Sequence, residues 1–132
     1  MKTRVEALRR IASLQQQMQD LANWRLATLE RERAALAQSH REMIEAAGRG
    51  LASTGPLAVA ATRRIRAVER QLDAAATDLA ALATLAIDQA ARAKLAARAR
   101  SAADADHRAQ RERKELSELI ERSLSVAKAS SA

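Results

Sequence analysis

The stretch from Pro56 to Val126 constrains the fold of this chain more than any other part of it. After Pro56 it contains neither glycine nor proline, and an apolar residue returns every three or four positions. This is the spacing of an amphipathic α-helix. At 1.5 Å per residue, one helix over this stretch would be roughly 100 Å long, which is longer than a globular domain of this size. The sequence therefore predicts an elongated, all-α protein.

The composition favours thin helical packing over a thick core. Trp24 is the sole aromatic residue, and alanine, leucine and arginine, all strong helix formers, are abundant. The lack of cysteine excludes a disulfide framework and thiol chemistry, and it agrees with a reducing compartment.

A first helix is predicted at about residues 2–47, where glycine and proline are also missing. Its second half follows a heptad repeat, in which leucine and methionine alternate with Arg33, His40 and Ala47. Steps of four from Met18 to Ala22 and on to Leu26 predict a local shift of that repeat. The inward face is predicted to include Met18, Ala22, Leu26, Leu29, Leu36 and Met43.

Residues 48–56 are predicted to reverse the chain. Gly48 suits a left-handed cap at the end of a helix, Thr54 or Gly55 suits the next N-cap, and Pro56 suits a first helical turn. So short a connection favours two antiparallel helices. The second helix is predicted at about 57–126, with a frayed tail at 127–132.

The two helices are predicted to form an antiparallel coiled-coil hairpin, a single domain whose second helix is the longer. Folding the chain about residue 52 would place Leu36 near Val68, and Ile11 near Ala93, so that large residues oppose small ones. In the same register Leu29 lies near Ala75, and Met18 near Ala86. On the second helix, the predicted seam comprises Ile65, Val68, Leu72, Leu79 and Leu82.

In this register the residues after Ala103 have no partner within the hairpin. Leu116, Leu119, Ile120 and Leu124 share one face of that segment, which predicts a binding surface for another protein or for a second copy of the chain. A shifted first helix that covers the segment is the remaining alternative.

Trp24 is predicted to point away from the seam. At about 100° per residue it lies roughly 200° around the helix from Ala22. An exposed tryptophan is a candidate hot spot for a partner. The alternative is an indole that lies flat over neighbouring side chains.

Catalytic and cofactor chemistry is not predicted. The chain has two histidines, His40 and His107, and its carboxylates are scattered over predicted solvent faces. Asp104 and His107 share a helical face, but two ligands do not make a metal site. The charged N-terminal residues resemble neither a signal peptide nor a membrane span, so a cytoplasmic protein is predicted. Because no catalytic constellation emerges, the protein is also predicted to be non-enzymatic.

The hairpin resembles the FliJ/YscO family, the stalk proteins of flagellar and type III secretion export ATPases. The resemblance lies in the long second helix, in Lys94-Leu95, and in the charged run from Arg111 to Glu118, which contains Lys114-Glu115-Leu116.

The resemblance implies a coiled-coil stalk that inserts into a hexameric ATPase ring and links it to the export gate at the inner membrane, like the rotor shaft of F-type ATPases. It implies no insertion into the membrane itself. The residues that it suggests for contact with the ring are Arg111, Arg113, Lys114, Leu116 and Ile120, to which the apolar stripe adds Leu119. Trp24 is the candidate for a second partner.

Two other classes of function remain open. The net charge of +7 and the cluster Arg63, Arg64, Arg66 and Arg70 suggest a basic helical nucleic-acid-binding protein, although acidic residues are interspersed. The alanine-rich helices also suit a general coiled-coil adaptor.

Overall fold

The computed structural model describes residues 2–49 and 55–131. They form two helices, α1 from Lys2–Gly48 (47 residues) and α2 from Pro56–Ser131 (76 residues), and no strand occurs in these ranges. The two helices pack against each other as a hairpin. The predicted all-α class, with a longer second helix, is confirmed.

The chain packs as two compact units, and each contains a segment of both helices. We call Met18–Ala90 the turn unit, because it includes the end of α1 and the start of α2. Met1–Gln17 and Ala91–Ala132 together form the terminal unit.

The start of α2 is capped as the sequence predicts, whereas the end of α1 is not. The Val59 amide donates to the Gly55 carbonyl at 3.1 Å, so Gly55 is the N-cap and Pro56 the first helical residue. Gly55 has a φ of 124°, which favours glycine. The left-handed cap predicted at Gly48 is wrong, because α1 continues through Gly48 and the Arg49 amide donates to the Glu45 carbonyl at 3.0 Å. Thr54 lies outside the described residues.

In the turn unit, the buried positions of the seam carry two alanines, one valine and one glutamine, and its leucine side chains are half-buried. Val68, Ala75, Ala86 and Gln89 are buried. Eight other predicted seam residues are half-buried, namely Leu26, Leu29, Leu36, Met43, Ile65, Leu72, Leu79 and Leu82. Small residues let two helices approach closely, and the packing is correspondingly thin.

The first half of α1 uses a different face from the predicted one. Val5 and Ala12 are buried, whereas Ile11 is 49% exposed and Met18 42% exposed. The predicted inward placement of Ile11 and Met18 is therefore wrong. The buried and half-buried positions Val5, Leu8, Ala12, Gln15, Gln19, Ala22 and Leu26 step by three and four, so the heptad repeat of α1 has no shift at Ala22.

The register of the two helices also differs from the prediction. Arg9 pairs with Asp104 at 3.0 Å in the terminal unit, and His40 pairs with Glu69 at 3.1 Å in the turn unit. A fold about residue 52 would instead bring Arg9 opposite Leu95. Asp104 lies nine residues beyond Leu95, and Glu69 lies five residues beyond Arg64, which the same fold would bring opposite His40. These α1 side chains therefore reach residues further along α2 than predicted.

Helix α2 extends to Ser131, so the frayed tail predicted at 127–132 is helical as far as it is described. Lys128 lies in its last turn, where a cation complements the helix dipole, and the Ser131 hydroxyl donates to the Lys128 carbonyl at 3.1 Å. Within the described ranges, neither helix has a segment long and apolar enough to cross a membrane.

Candidate functional site

The last part of α2 carries an exposed mixture of basic and large apolar side chains. Between Arg111 and Ser131 only Glu118 is half-buried, and every other side chain is exposed. Leu116 is 59% exposed and Ile120 52% exposed, and Leu119 and Leu124 are similarly open. We call Arg111–Ser131 the end segment.

The end segment does not continue the seam of the hairpin. In the terminal unit the seam positions of α2 include Ala93, Ala96, Ala103 and His107, which are buried or half-buried. The same spacing continues at Lys114, Ser117 and Glu121, which are polar, and then at Leu124. The apolar residues of the end segment therefore belong mostly to another face of α2.

That other face is regular, and it begins well before the end segment. Its eight positions alternate in steps of four and three, which keeps them on one side of a helix. Seven of them are exposed and Ala109 is half-buried. We call this set the second face: Leu95, Ala99, Ala102, Asp106, Ala109, Arg113, Leu116 and Ile120.

A groove in the terminal unit runs along part of the second face. Arg4, Val5 and Leu8 of α1 form one wall, and Ala99, Ala102, Ala103, Asp106, His107 and Gln110 of α2 form the other. The opposite side of the hairpin carries the Arg9–Asp104 ion pair. Because the α2 wall is rich in alanine, the groove has room for larger side chains from outside.

The predicted partner residues fall into two groups. Arg111, Arg113, Lys114, Leu116, Leu119 and Ile120 all lie on the end segment, within the terminal unit. Trp24 lies in the turn unit and is 61% exposed, so its predicted outward orientation is confirmed.

The turn unit has an apolar groove of its own. Met43 and Ala47 of α1 and Leu57, Ala61 and Ile65 of α2 are among the residues that line it. Leu57 is 79% exposed. The small alanines leave this part of the seam loosely filled.

The basic residues near the start of α2 are spread over its solvent side. Arg63, Arg64, Arg66 and Arg70 are all exposed. Arg63 and Arg66 border a shallow depression together with Gly55, Val59 and Thr62. Arg63, Arg66 and Arg70 follow the three-and-four spacing of one helical face.

The described residues contain no cluster of three or more histidine, cysteine, aspartate or glutamate side chains that could hold a metal ion. Asp104, which the sequence places near His107, accepts from Arg9 and also lies 3.7 Å from Arg100. The chemistry that this arrangement supports is recognition by exposed apolar and charged side chains.

No protein-family model, curated protein or solved structure matches the chain.

The sequence-based prediction found the apolar end segment and missed the first half of the second face. Ala99, Ala102 and Ala109 are inconspicuous in a chain so rich in alanine. The signal that could have found them is the alternating four and three spacing back from Ile120 to Leu95.

Proposed function

We propose that the protein is a non-enzymatic stalk or adaptor of a flagellar or type III protein-export ATPase. In this role, the end segment would enter the hexameric ATPase ring, and the helical hairpin would link the ring to the export gate at the inner membrane. The proposal rests on the resemblance of the chain to the FliJ/YscO family.

The observation that carries the proposal is the exposure of the end segment. Arg111 and Lys114 are exposed on the longer helix of the hairpin, in the run that carries the resemblance, and Leu119 is exposed directly after that run. Apolar side chains flanked by exposed charges are typical of a surface that binds another protein.

The charge pattern of the end segment suits a partner with several similar subunits. Basic and acidic residues are interspersed along it, and the ion pair between Arg122 and Glu118 is long, at 4.0 Å. Exposed ion pairs of this kind contribute little energy each. A shaft with many weak contacts could meet each subunit of a ring in turn without binding one of them tightly.

Binding to the export ATPase from the same genome tests the proposal. The double variant Arg111→Glu with Lys114→Glu reverses two charges of the end segment, and we expect it to lose most of the binding in a co-sedimentation assay. Arg98→Glu with Arg108→Glu is the matched control, because it makes the same change of charge on exposed positions of the same unit.

Two results would count against the stalk function. One is that the unaltered protein does not bind the ATPase. The other is that both double variants bind equally well, because the end segment would then have no special part in recognition.

The runner-up function is nucleic-acid binding, favoured by Arg63, Arg66 and Arg70 on one exposed face. Binding to duplex DNA that weakens steeply with salt, and that falls when these arginines are replaced by glutamine, would support it. A general coiled-coil adaptor would show neither property and would bind some other helical protein.

A further inference from the structure

The second face of α2 is complementary to the same face of another copy whose helix runs in the opposite direction. Read forward it is Leu, Ala, Ala, Asp, Ala, Arg, Leu, Ile. In antiparallel coiled coils a first heptad position of one helix meets a fourth position of the other. Applying that rule to the second face gives four kinds of layer: Leu95 with Ile120, Ala99 with Leu116, Ala102 with Arg113, and Asp106 with Ala109.

The sizes of the side chains fit this pairing. Leu116 of one helix would meet Ala99 of the other, so a large side chain lies over a small one. Leu95 and Ile120 would close both ends of the contact with larger apolar residues. From Leu95 to Ile120 the face is about 37 Å long at 1.5 Å per residue.

The two charges of the second face also fit. Each charged residue would lie opposite an alanine, in adjacent layers of the contact. The long Arg113 side chain of one copy could therefore cross Ala102 of the other and reach Asp106. Within the described residues neither Asp106 nor Arg113 takes part in an ion pair. Two-fold symmetry would form the Asp106–Arg113 pair twice.

The groove of the terminal unit lies at the right place for this contact. Ala99, Ala102 and Asp106 line it together with Arg4 and Leu8 of α1. The Leu116 side chain of a second copy would enter the groove over Ala99. Its own Ala99 would receive Leu116 of the first copy in the same way.

We propose that the chain forms a two-fold homodimer in which the second faces of two terminal units pair antiparallel, with Asp106 of each copy bound to Arg113 of the other. A second copy is the favoured occupant because the face supplies both halves of every layer. An unrelated helix would match only if its side chains followed the same order in the opposite direction. The proposal does not depend on the proposed function, and its test uses only this chain.

Charge reversal with rescue tests the proposal. Asp106→Arg alone places like charges at both symmetry-related ion pairs, and Arg113→Asp alone does the same. Each variant should therefore weaken dimerisation by about tenfold or more in sedimentation equilibrium. The double variant that exchanges the two charges should restore dimerisation. Arg108→Asp, which lies roughly 130° around α2 from the middle of the second face at about 100° per residue, is the control and should leave it unchanged.

Mixing the two single variants sharpens the test. A chain with Asp106→Arg and a chain with Arg113→Asp complement each other at both ion pairs, so the mixture should form heterodimers that neither chain forms with itself. Circular dichroism of each variant checks that the helix content is retained, so that loss of dimer is not loss of fold.

Cysteine pairing reports the direction of the helices, and the chain has no native cysteine to interfere. Ala99→Cys mixed with Leu116→Cys should give mostly the 99–116 disulfide. Links between identical positions would indicate parallel helices and overturn the proposal. So would a monomer of 14.3 kDa at every concentration, or a dimer that both single charge reversals leave intact.

Discussion

Two glycines flank the turn in different backbone conformations, so the same substitution at each should have opposite effects on stability. Gly48 ends α1 with no positive φ, and no atom lies within 4 Å of the place where a Cβ would be added. Gly55 has a φ of 124°, also with open space around the added Cβ. Any difference between Gly48→Ala and Gly55→Ala must therefore come from the backbone and not from a clash.

The expected magnitudes follow from these conformations. Alanine at position 48 should stabilise the fold by about 0.5 kcal/mol, because it restricts the unfolded chain and favours helix. Alanine at position 55 should destabilise the fold by about 1–2 kcal/mol, because a side chain strains that backbone conformation. The effect on the unfolded chain is nearly the same in both variants, so the difference of about 2 kcal/mol reports the native turn.

Urea unfolding followed by circular dichroism measures both values. The dependence of the unfolding free energy on urea should be unchanged in both variants, since neither alters the surface exposed on unfolding. Equal effects at the two positions, or a stabilising Gly55→Ala, would show that the turn does not require the conformation described for Gly55.

Three further predictions concern packing. Val68→Ala should cost about 1 kcal/mol more than Val59→Ala in urea unfolding, because Val68 is 9% exposed and Val59 51% exposed in the same helix; equal costs would contradict the seam. A double-mutant cycle on Arg9 and Asp104 should give a coupling of about 0.5 kcal/mol, since Arg9 is half exposed, and zero coupling would question the register. Ile11→Gln should change stability by less than about 0.5 kcal/mol, and a cost of several kcal/mol would restore Ile11 to the core.

Much of the fold could be predicted from local rules. The lack of glycine and proline between Pro56 and Val126 predicts one helix, and the structure contains it. Gly55 and Pro56 mark the start of α2 by the conformations that glycine and proline prefer. These features depend on each residue and its near neighbours, so a sequence contains enough information to predict them.

The face of α1 and the register could not be predicted in this way, because they depend on which stripe meets the other helix. Ile11, Leu14, Met18 and Leu21 form an apolar stripe of larger residues than the stripe with Val5 and Ala12 that is buried. Side-chain size alone favours the wrong stripe. Only the continuation of the heptad from Leu26 back to Val5, through polar Gln19 and Gln15, selects the right one.

The candidate site shows the same division. The exposed leucines after Arg113 were predictable from spacing, because no residue of the first helix was expected opposite them. The alanines of the second face become informative only once the side of α2 that faces α1 is known. In the terminal unit that side is identified by the burial of Ala93 and by the ion pair of Asp104.

The steady-state rate of ATP hydrolysis by the purified export ATPase, titrated with this protein, tests the proposed stalk function most directly. We predict that the rate rises and saturates, and that Arg111→Glu with Lys114→Glu abolishes the rise while Arg98→Glu with Arg108→Glu preserves it. A rate that stays constant over the whole titration, with the protein folded and the ATPase assembled, would contradict the account.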